Sequence, residues 1–452
     1  MTHPTEIAEI KHIQSQLEQA LTGLEKHDST DTSLRQPVHT VYGGAHLFTS
    51  GLCQKLGKIA LQSLHQYAPS PRHLALALQF EDKNPALWEI IYQRIAKKLN
   101  TEPIEDFRID FEDGYGHRSD EEEDTHAIQA AQIAGSDGKA NLLPPFWGIR
   151  IKAFHRQGFA RSQRTLRLFL NHLLKTTGGD IPRGFVVTLP KVMLAAETQA
   201  LSQLLSIIES QHQLSRGTIK IEFMVETTQS ILNSLGYCPL RSFVAAADGR
   251  CVAAHFGSYD YTAGNDIVAS SQGMRHPACD FAKQIMKTAL AGTGIRLSDG
   301  ATTLMPVGPH KGTLSPQQLR ENEAVVHRAW RESYANIRHS LESGFYQGWD
   351  LHPAQLPIRY AAMSLFFLES LETMVPRLKN FLDRAAQASL LGDVFDDAAT
   401  GQGLLNFFLR GLSCGALTAD EVRPTGLNLE ELNSRSFFTI LEKRKKTLLP
   451  KS

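Results

Sequence analysis

The sequence predicts an α/β fold, a TIM (β/α)8 barrel with an N-terminal helix and a helical C-terminal extension. Three observations carry this prediction. Short β-type apolar runs alternate with helical patterns through the middle of the chain, which implies a parallel sheet whose crossovers are covered. The runs number eight, the count that closes such a barrel. Charged residues stand at the ends of these runs, where barrels of this kind place their chemistry. At 452 residues the chain exceeds the roughly 250 that a barrel needs, which leaves room for additions.

The elements follow in order. Ile7, Ile10, Ile13, Leu17, Leu21 and Leu24 recur at helical spacing, so residues 5–27 read as an amphipathic lead-in helix, followed by a polar linker over 28–36. His39–Gly43 is the first expected strand, with a helix over 52–66. Residues 73–80 fit a strand or the start of a helix that continues through Trp88, Ile91 and Ile95. The next strands are expected at Phe107–Phe111, Trp147–Lys152, Phe185–Leu189, Ile219–Val225, Cys251–Phe256, Thr302–Val307 and Gln347–Leu351. Helical patterns fill 125–134, 161–176, 194–213, 227–235, 277–291 and 315–343, and the acids Asp120–Asp124 suit a helix start. After His352 the pattern is helical, with a basic run at Lys443–Lys446. The expected division is therefore 1–36 lead-in helix and linker, 37–358 barrel and 359–452 extension.

Composition narrows the function. Lys plus Arg and Asp plus Glu both number 47, so no net field favours nucleic acid or an anionic membrane. The five cysteines are scattered with no C-x-x-C, which argues for reduced thiols. The N-terminus lacks a signal peptide's apolar core and no apolar run is long enough to span a bilayer, making the cytoplasm the expected compartment. No G-x-G-x-x-G, H-E-x-x-H, G-x-S-x-G or P-loop motif occurs.

The remaining chemistry sits at strand ends. Asp110, Glu112 and Asp113 precede Gly114, and clustered carboxylates repel unless a cation neutralises them. Such oxygens suit Mg2+, or Mn2+ in its place. Glu226 ends Ile221–Val225 and Asp260 follows Gly257 and Ser258, so neighbouring strands would set the two side by side as metal ligands. Arg150, inside Gly148–Lys152, needs an anion, and its planar fork suits a carboxylate or an enolate oxygen. A structural ion pair inside the barrel is the alternative. Lys191 adds a second cation after Leu189-Pro190, and His352 closes the last strand as a candidate acid/base or substrate-orienting group.

Asp-Phe-Glu-Asp, Ile-Arg-Ile-Lys, Leu-Pro-Lys-Val, Val-Glu-Thr-Thr-Gln-Ser, Phe-Gly-Ser-Tyr-Asp-Tyr and Trp-Asp-Leu-His-Pro-Ala-Gln-Leu occur in that order. From about His39 to Arg359 the chain resembles the superfamily of citrate lyase β subunits, malyl- and citramalyl-CoA lyases and malate synthases. The resemblance implies a TIM barrel binding Mg2+ through Glu226 and Asp260, with Glu112 and Asp113 in the outer shell. Arg150 would hold the enolate or a substrate carboxylate, with Gly257 and Ser258 beside the substrate and Asp113, Lys191 and His352 in catalytic positions. The implied reaction makes or breaks a carbon–carbon bond between an enolate and an α-keto acid, on a hydroxy acid or its coenzyme A thioester. A malate synthase-type condensing enzyme and a non-catalytic metabolite-binding barrel are the alternatives. For the condensing enzyme Asp393, Asp396 and Asp397 are candidate bases. The likeness also suggests a homo-oligomer. It departs at Val41-Tyr42-Gly43-Gly44, where the family has a proline turn followed by arginine.

Overall fold

Alternation along parallel strands decides which side chains fill the centre of this molecule and which face its helices. The structure is a computed structural model that describes residues 12–19, 35–80, 84–156, 158–383, 389–391, 394–396, 398–434, 439–440 and 443–444. Eight strands close a parallel barrel in sequence order: β1 (His39–Gly44), β2 (Asp106–Asp110), β3 (Phe146–Arg150), β4 (Phe185–Leu189), β5 (Lys220–Val225), β6 (Cys251–Phe256), β7 (Arg296–Ala301) and β8 (Gln347–Asp350). Pairing of His39–Val41 with Gly348–Asp350 completes the ring. Phe107, Ile109, Ile149, Val187, Ile221, Phe223 and Phe256 alternate with charged or hydroxyl residues and are buried. The polar set, Asp106, Arg108, Asp110, Arg150, Thr188, Glu222 and His255, is buried as well and joined by hydrogen bonds across the strands.

Between β1 and β2 lie α1 (Leu52–Tyr67), α2 (Pro71–Ala77) and α3 (Pro85–Thr101). Residues 71–77 thus resolve the ambiguous stretch as helix. Ser70 caps that helix, accepting from the His73 N–H, and proline at its first position suits a helix start. α4 (Asp120–Lys139) begins where the acids predicted it, with Ser119 accepting from the Glu122 N–H. α5 (Phe159–Thr177) and α6 (Ala195–Gln211) follow β3 and β4. Short helices α7 (Thr228–Ile231) and α8 (Leu240–Ala246) follow β5, and α9 (Ser258–Gly264) and α10 (Pro277–Ala289) follow β6. α11 (Pro316–Glu342) begins with a Ser315/Gln318 capping box.

The seventh strand departs from expectation. Thr302–Val307, expected from its apolar content, is irregular, and the strand is Arg296–Ala301 just before it. Pro306 cannot donate to a sheet ladder, whereas the unpromising Ser298-Asp299-Gly300 is held by tertiary contacts. Lys283 pairs with Asp299 at 3.0 Å, and the Ser340 hydroxyl donates to the same carboxylate at 2.6 Å.

α12 (Leu356–Asp383) starts within the expected barrel boundary, and its first turn carries Arg359 back to Asp350 at 3.0 Å. Beyond it come a two-stranded ribbon (Ser389–Leu391 with Val394–Asp396), α13 (Ala398–Ser413), α14 (Ala419–Val422) and α15 (Leu429–Ser434). The expected lead-in helix is described over residues 12–19, which are helical and exposed. The rest of it lies outside the described residues. So do Asp393 and Asp397, while Asp396 ends the ribbon. All five cysteines are free thiols. Among the described residues no helix is long and apolar enough to cross a membrane.

Candidate active site

The carboxyl ends of β2 to β6 converge on one rim. Asp110 ends β2, Arg150 ends β3, Lys191 follows β4, Glu226 follows β5, and Gly257, Ser258 and Asp260 follow β6. A cavity of about 320 Å3 opens there, lined by Asp110, Asp113, Arg150, Glu226, Gly257, Ser258 and Asp260 together with Tyr42, Trp349 and Leu351. A second, of about 380 Å3, is lined by Lys191, Glu226 and Asp260 with His155, Met193, Glu197 and Thr227. Glu226 and Asp260 belong to both walls.

Arg150 is fully engaged on one edge. Its Nε donates to Asp110 Oδ1 at 2.7 Å and its Nη2 to Asp110 Oδ2 at 2.5 Å, a bidentate pair that fixes the guanidinium plane. Asp110 also accepts from the Glu112 and Gly114 amides at 3.0 and 2.7 Å, and a Cβ on residue 114 would collide with its Oδ2. The other edge of Arg150 points to Glu112, 3.3 Å away, and its carbon lies 4.8 Å from the Tyr42 ring centre. The arginine is therefore both an interior ion pair and a cavity wall.

Lys191 holds the acids together. Its backbone adopts a left-handed φ of 53°, unfavourable for a side-chain-bearing residue, and its amide donates to Glu226 Oε1 at 2.7 Å. Its ammonium pairs with Glu112, reaches Asp113 Oδ1 at 3.0 Å and stands 3.9 Å from Asp260 Oδ1. Burial pushes Glu112 and Asp260 above the usual carboxylate range. Burial also pushes Asp113 upward, but the hydrogen bond from Glu112 and the charges of Lys191 and Arg150 bring it below its ordinary value.

Glu226 is the unbalanced group. It is 2% exposed, and among the described residues it forms no ion pair. Burial, and then the charge of Asp260, pushes it up to about 8. Gly257 is required beside it, because a Cβ there would lie 2.4 Å from Glu226 Oε2. A buried carboxylate without a cation, next to a second carboxylate on the same cavity, is a hard oxygen donor pair that fits Mg2+. Glu112, behind Lys191, suits an outer shell.

His352 is not brought to either cavity wall. Its Nδ1 accepts from the Ala354 amide at 3.1 Å, so the ring caps the one-turn helix Pro353–Gln355, and the preceding Leu351 lines the cavity instead. A histidine before proline suits this capping turn, which its motif did not reveal. The sequence missed Tyr42 and Trp349, whose rings lie 4.5 Å apart on the cavity wall. Their signal was alternation: each is an inward position near the end of its strand.

Below the rim lies a second carboxylate and imidazole group. Asp106, Glu222 and His255 place ligand-type atoms within 4.8 Å of one another. That place is taken by Arg108, which pairs with Asp106 and reaches Glu222 Oε2 at 2.7 Å, while His255 Nε2 lies 2.9 Å from the same carboxylate. Burial alone would raise Glu222, but the charges of Arg108 and His255 hold it far below its ordinary value. A resident guanidinium there leaves the rim as the better place for a metal ion.

A family model described as a domain of unknown function, DUF6986, matches residues 17–440. No curated protein matches the chain. Among solved structures, a citrate lyase from Burkholderia xenovorans LB400 is similar with a TM-score of 0.56 and 17% identity, over 87% of this chain and 96% of that one. The CitE protein of Mycobacterium tuberculosis in complex with magnesium, acetoacetate and coenzyme A has a TM-score of 0.47 and 13% identity, over 85% and 99%. A malate synthase of Haloferax volcanii, as a lead(II) complex, has a TM-score of 0.44 and 14% identity, over 92% and 99%. The fold shared with the citrate lyase structure is a closed eight-stranded parallel barrel, the TIM barrel implied by the order of the rim motifs.

Proposed function

From the premise that the chain belongs to the DUF6986 family and folds as a citrate lyase-type barrel, we propose that it is a Mg2+-dependent carbon–carbon lyase. It would cleave, or form, a hydroxy acid or its coenzyme A thioester through an enolate and an α-keto acid. The observation that carries the reading is the meeting of two cavities at Glu226 and Asp260, flanked by Lys191 and Arg150. Two substrate halves joined by one bond need two compartments that share the charge-stabilising groups.

Glu226 and Asp260 would hold the ion, and Mn2+ could replace it. When bound, Mg2+ supplies positive charge that stabilises developing oxyanions. The chain's own residues do the rest. Asp110 locks the guanidinium plane of Arg150, whose second edge, beside Glu112, would face the anionic end of the substrate. Asp113, kept ionised at neutral pH, takes the proton of the substrate hydroxyl. As that O–H bond breaks, the oxygen's electrons form the keto acid carbonyl, and the carbon–carbon pair passes to the departing enolate. Lys191, whose neighbouring acids raise its pKa despite burial, stays charged beside that enolate. Tyr42, Trp349 and Leu351 keep water from one side of the bond.

The test is keto acid release by the full chain with Mg2+ and malyl-CoA, citramalyl-CoA or their free acids. Cleavage that falls at least about 100-fold in Asp260→Ala supports the reading. Condensation of acetyl-CoA with glyoxylate without any cleavage would identify a malate synthase-type enzyme instead. Neither activity with any of these compounds would favour a metabolite-binding barrel.

A further inference from the structure

The opposite end of the barrel carries a cavity that the rim chemistry does not use. It measures about 500 Å3 and lies at the starts of β6 and β7, against the turn that joins α10 to β7. Three cations from separate elements line it: Arg296 of β7, Lys287 of α10 and Arg410 of α13. Among the described residues no aspartate or glutamate lines it.

These three are half-buried, and the fully buried cations of this protein are treated differently. Arg108, Arg150, Arg250, Lys283 and Arg359 each pair with a carboxylate at 3.0 Å or less. The three cations of the cavity have only neutral partners among the described residues. Lys287 donates to the Gly344 carbonyl at 2.7 Å, Arg410 to Gln36 Oε1 at 3.2 Å, and Arg296 stacks 5.1 Å from the Phe146 ring centre. The acids whose charge reaches Arg296 are Asp106 and Glu222, and Arg108 already binds both. Burial, and then the charge of Arg410, pushes Lys287 down to about 8. Half-buried cations gathered around one cavity without a counter-ion repel one another, and an anion arriving there relieves that repulsion.

We infer that this cavity binds a small organic anion, its phosphate or carboxylate head held by Arg296, Lys287 and Arg410. The volume lies in the range of small-molecule sites. Leu290, Ile295 and Tyr346 offer the body of the ligand apolar and aromatic surface. Because Arg296 belongs to the barrel and Arg410 to the extension, the bound anion ties the two together. The site is independent of the rim reaction, so its ligand need not be the substrate.

Calorimetry on the full chain tests this, with pyrophosphate and tricarballylate as probes and sodium chloride as the ionic-strength control. Binding is expected for at least one probe, and which one binds identifies the head group. It should weaken about tenfold or more in Arg296→Gln and in Arg410→Gln, recover in part in Arg410→Lys, and persist in Asp260→Ala. Circular dichroism of each variant separates lost binding from lost folding. Failure of both probes to bind wild type overturns the inference. So does binding that Asp260→Ala abolishes while folded Arg296→Gln and Arg410→Gln retain it, since the probe would then occupy the rim.

Discussion

Glu226 shows what one side chain costs and offers at this rim. Burial leaves it protonated near neutrality, with about 8 as its midpoint. A carboxylate must lose its proton to bind a cation, so Mg2+ affinity should rise about tenfold per pH unit up to about 8 and level off above it. Calorimetry across that range checks the slope. In the metal-free protein the sign is opposite for stability: the raised pKa favours the folded state below the ordinary carboxylate range, and this is lost as pH rises through about 8. Glu226→Gln should therefore abolish metal binding while leaving the thermal midpoint at pH 8 unchanged or higher. Gly257→Ala should also lose metal affinity, by displacing the carboxylate that its new Cβ would strike at 2.4 Å. Removing Arg108 acts on stability instead. Arg108→Met leaves Asp106 and Glu222 buried beside each other without the guanidinium that both bind, and denaturant unfolding should show a loss of about 3–5 kcal/mol.

At the scale of elements, a buried ion pair ties α12 to the last strand of the barrel. Arg359, in the first turn of α12, binds Asp350, whose Oδ2 also lies 3.2 Å from His39 Nδ1. Arg359→Met should destabilise the protein by about 3 kcal/mol in denaturant unfolding, because Asp350 is 2% exposed and would keep only the histidine. The elements that sequence made legible were those where local pattern and tertiary role agree. Ile221–Val225 is an apolar, β-type run with only Glu222 polar within it and ends at Glu226, so both strand and site could be read together. Arg296–Ala301 could not, because Ser298, Asp299 and Gly300 are poor strand formers held in place by Lys283 and Ser340. His352 was legible as a motif but not as a cap, since its ring direction depends on the turn at Pro353. Tyr42 lay in a segment that departs from the family pattern, and nothing local announced that it would face Arg150.

The whole molecule separates two electrostatic tasks along the barrel axis. Carboxylates gather at the carboxyl ends of the strands and cations at the opposite end, with a neutralised Asp106–Arg108–Glu222–His255 layer between them. The chain has no net charge to steer a ligand, so this internal separation gives each end its own preference. In the proposed reading the acidic end holds a divalent cation that a keto acid joins. Its most direct test is a Mg2+ titration by calorimetry, with and without oxaloacetate, pyruvate or glyoxylate, on wild type and Asp260→Ala. Binding in wild type that tightens with one of the keto acids and disappears in the variant is the expected result. Wild-type protein that binds no Mg2+ with any of the three, or an Asp260→Ala protein that binds it unchanged, would contradict it.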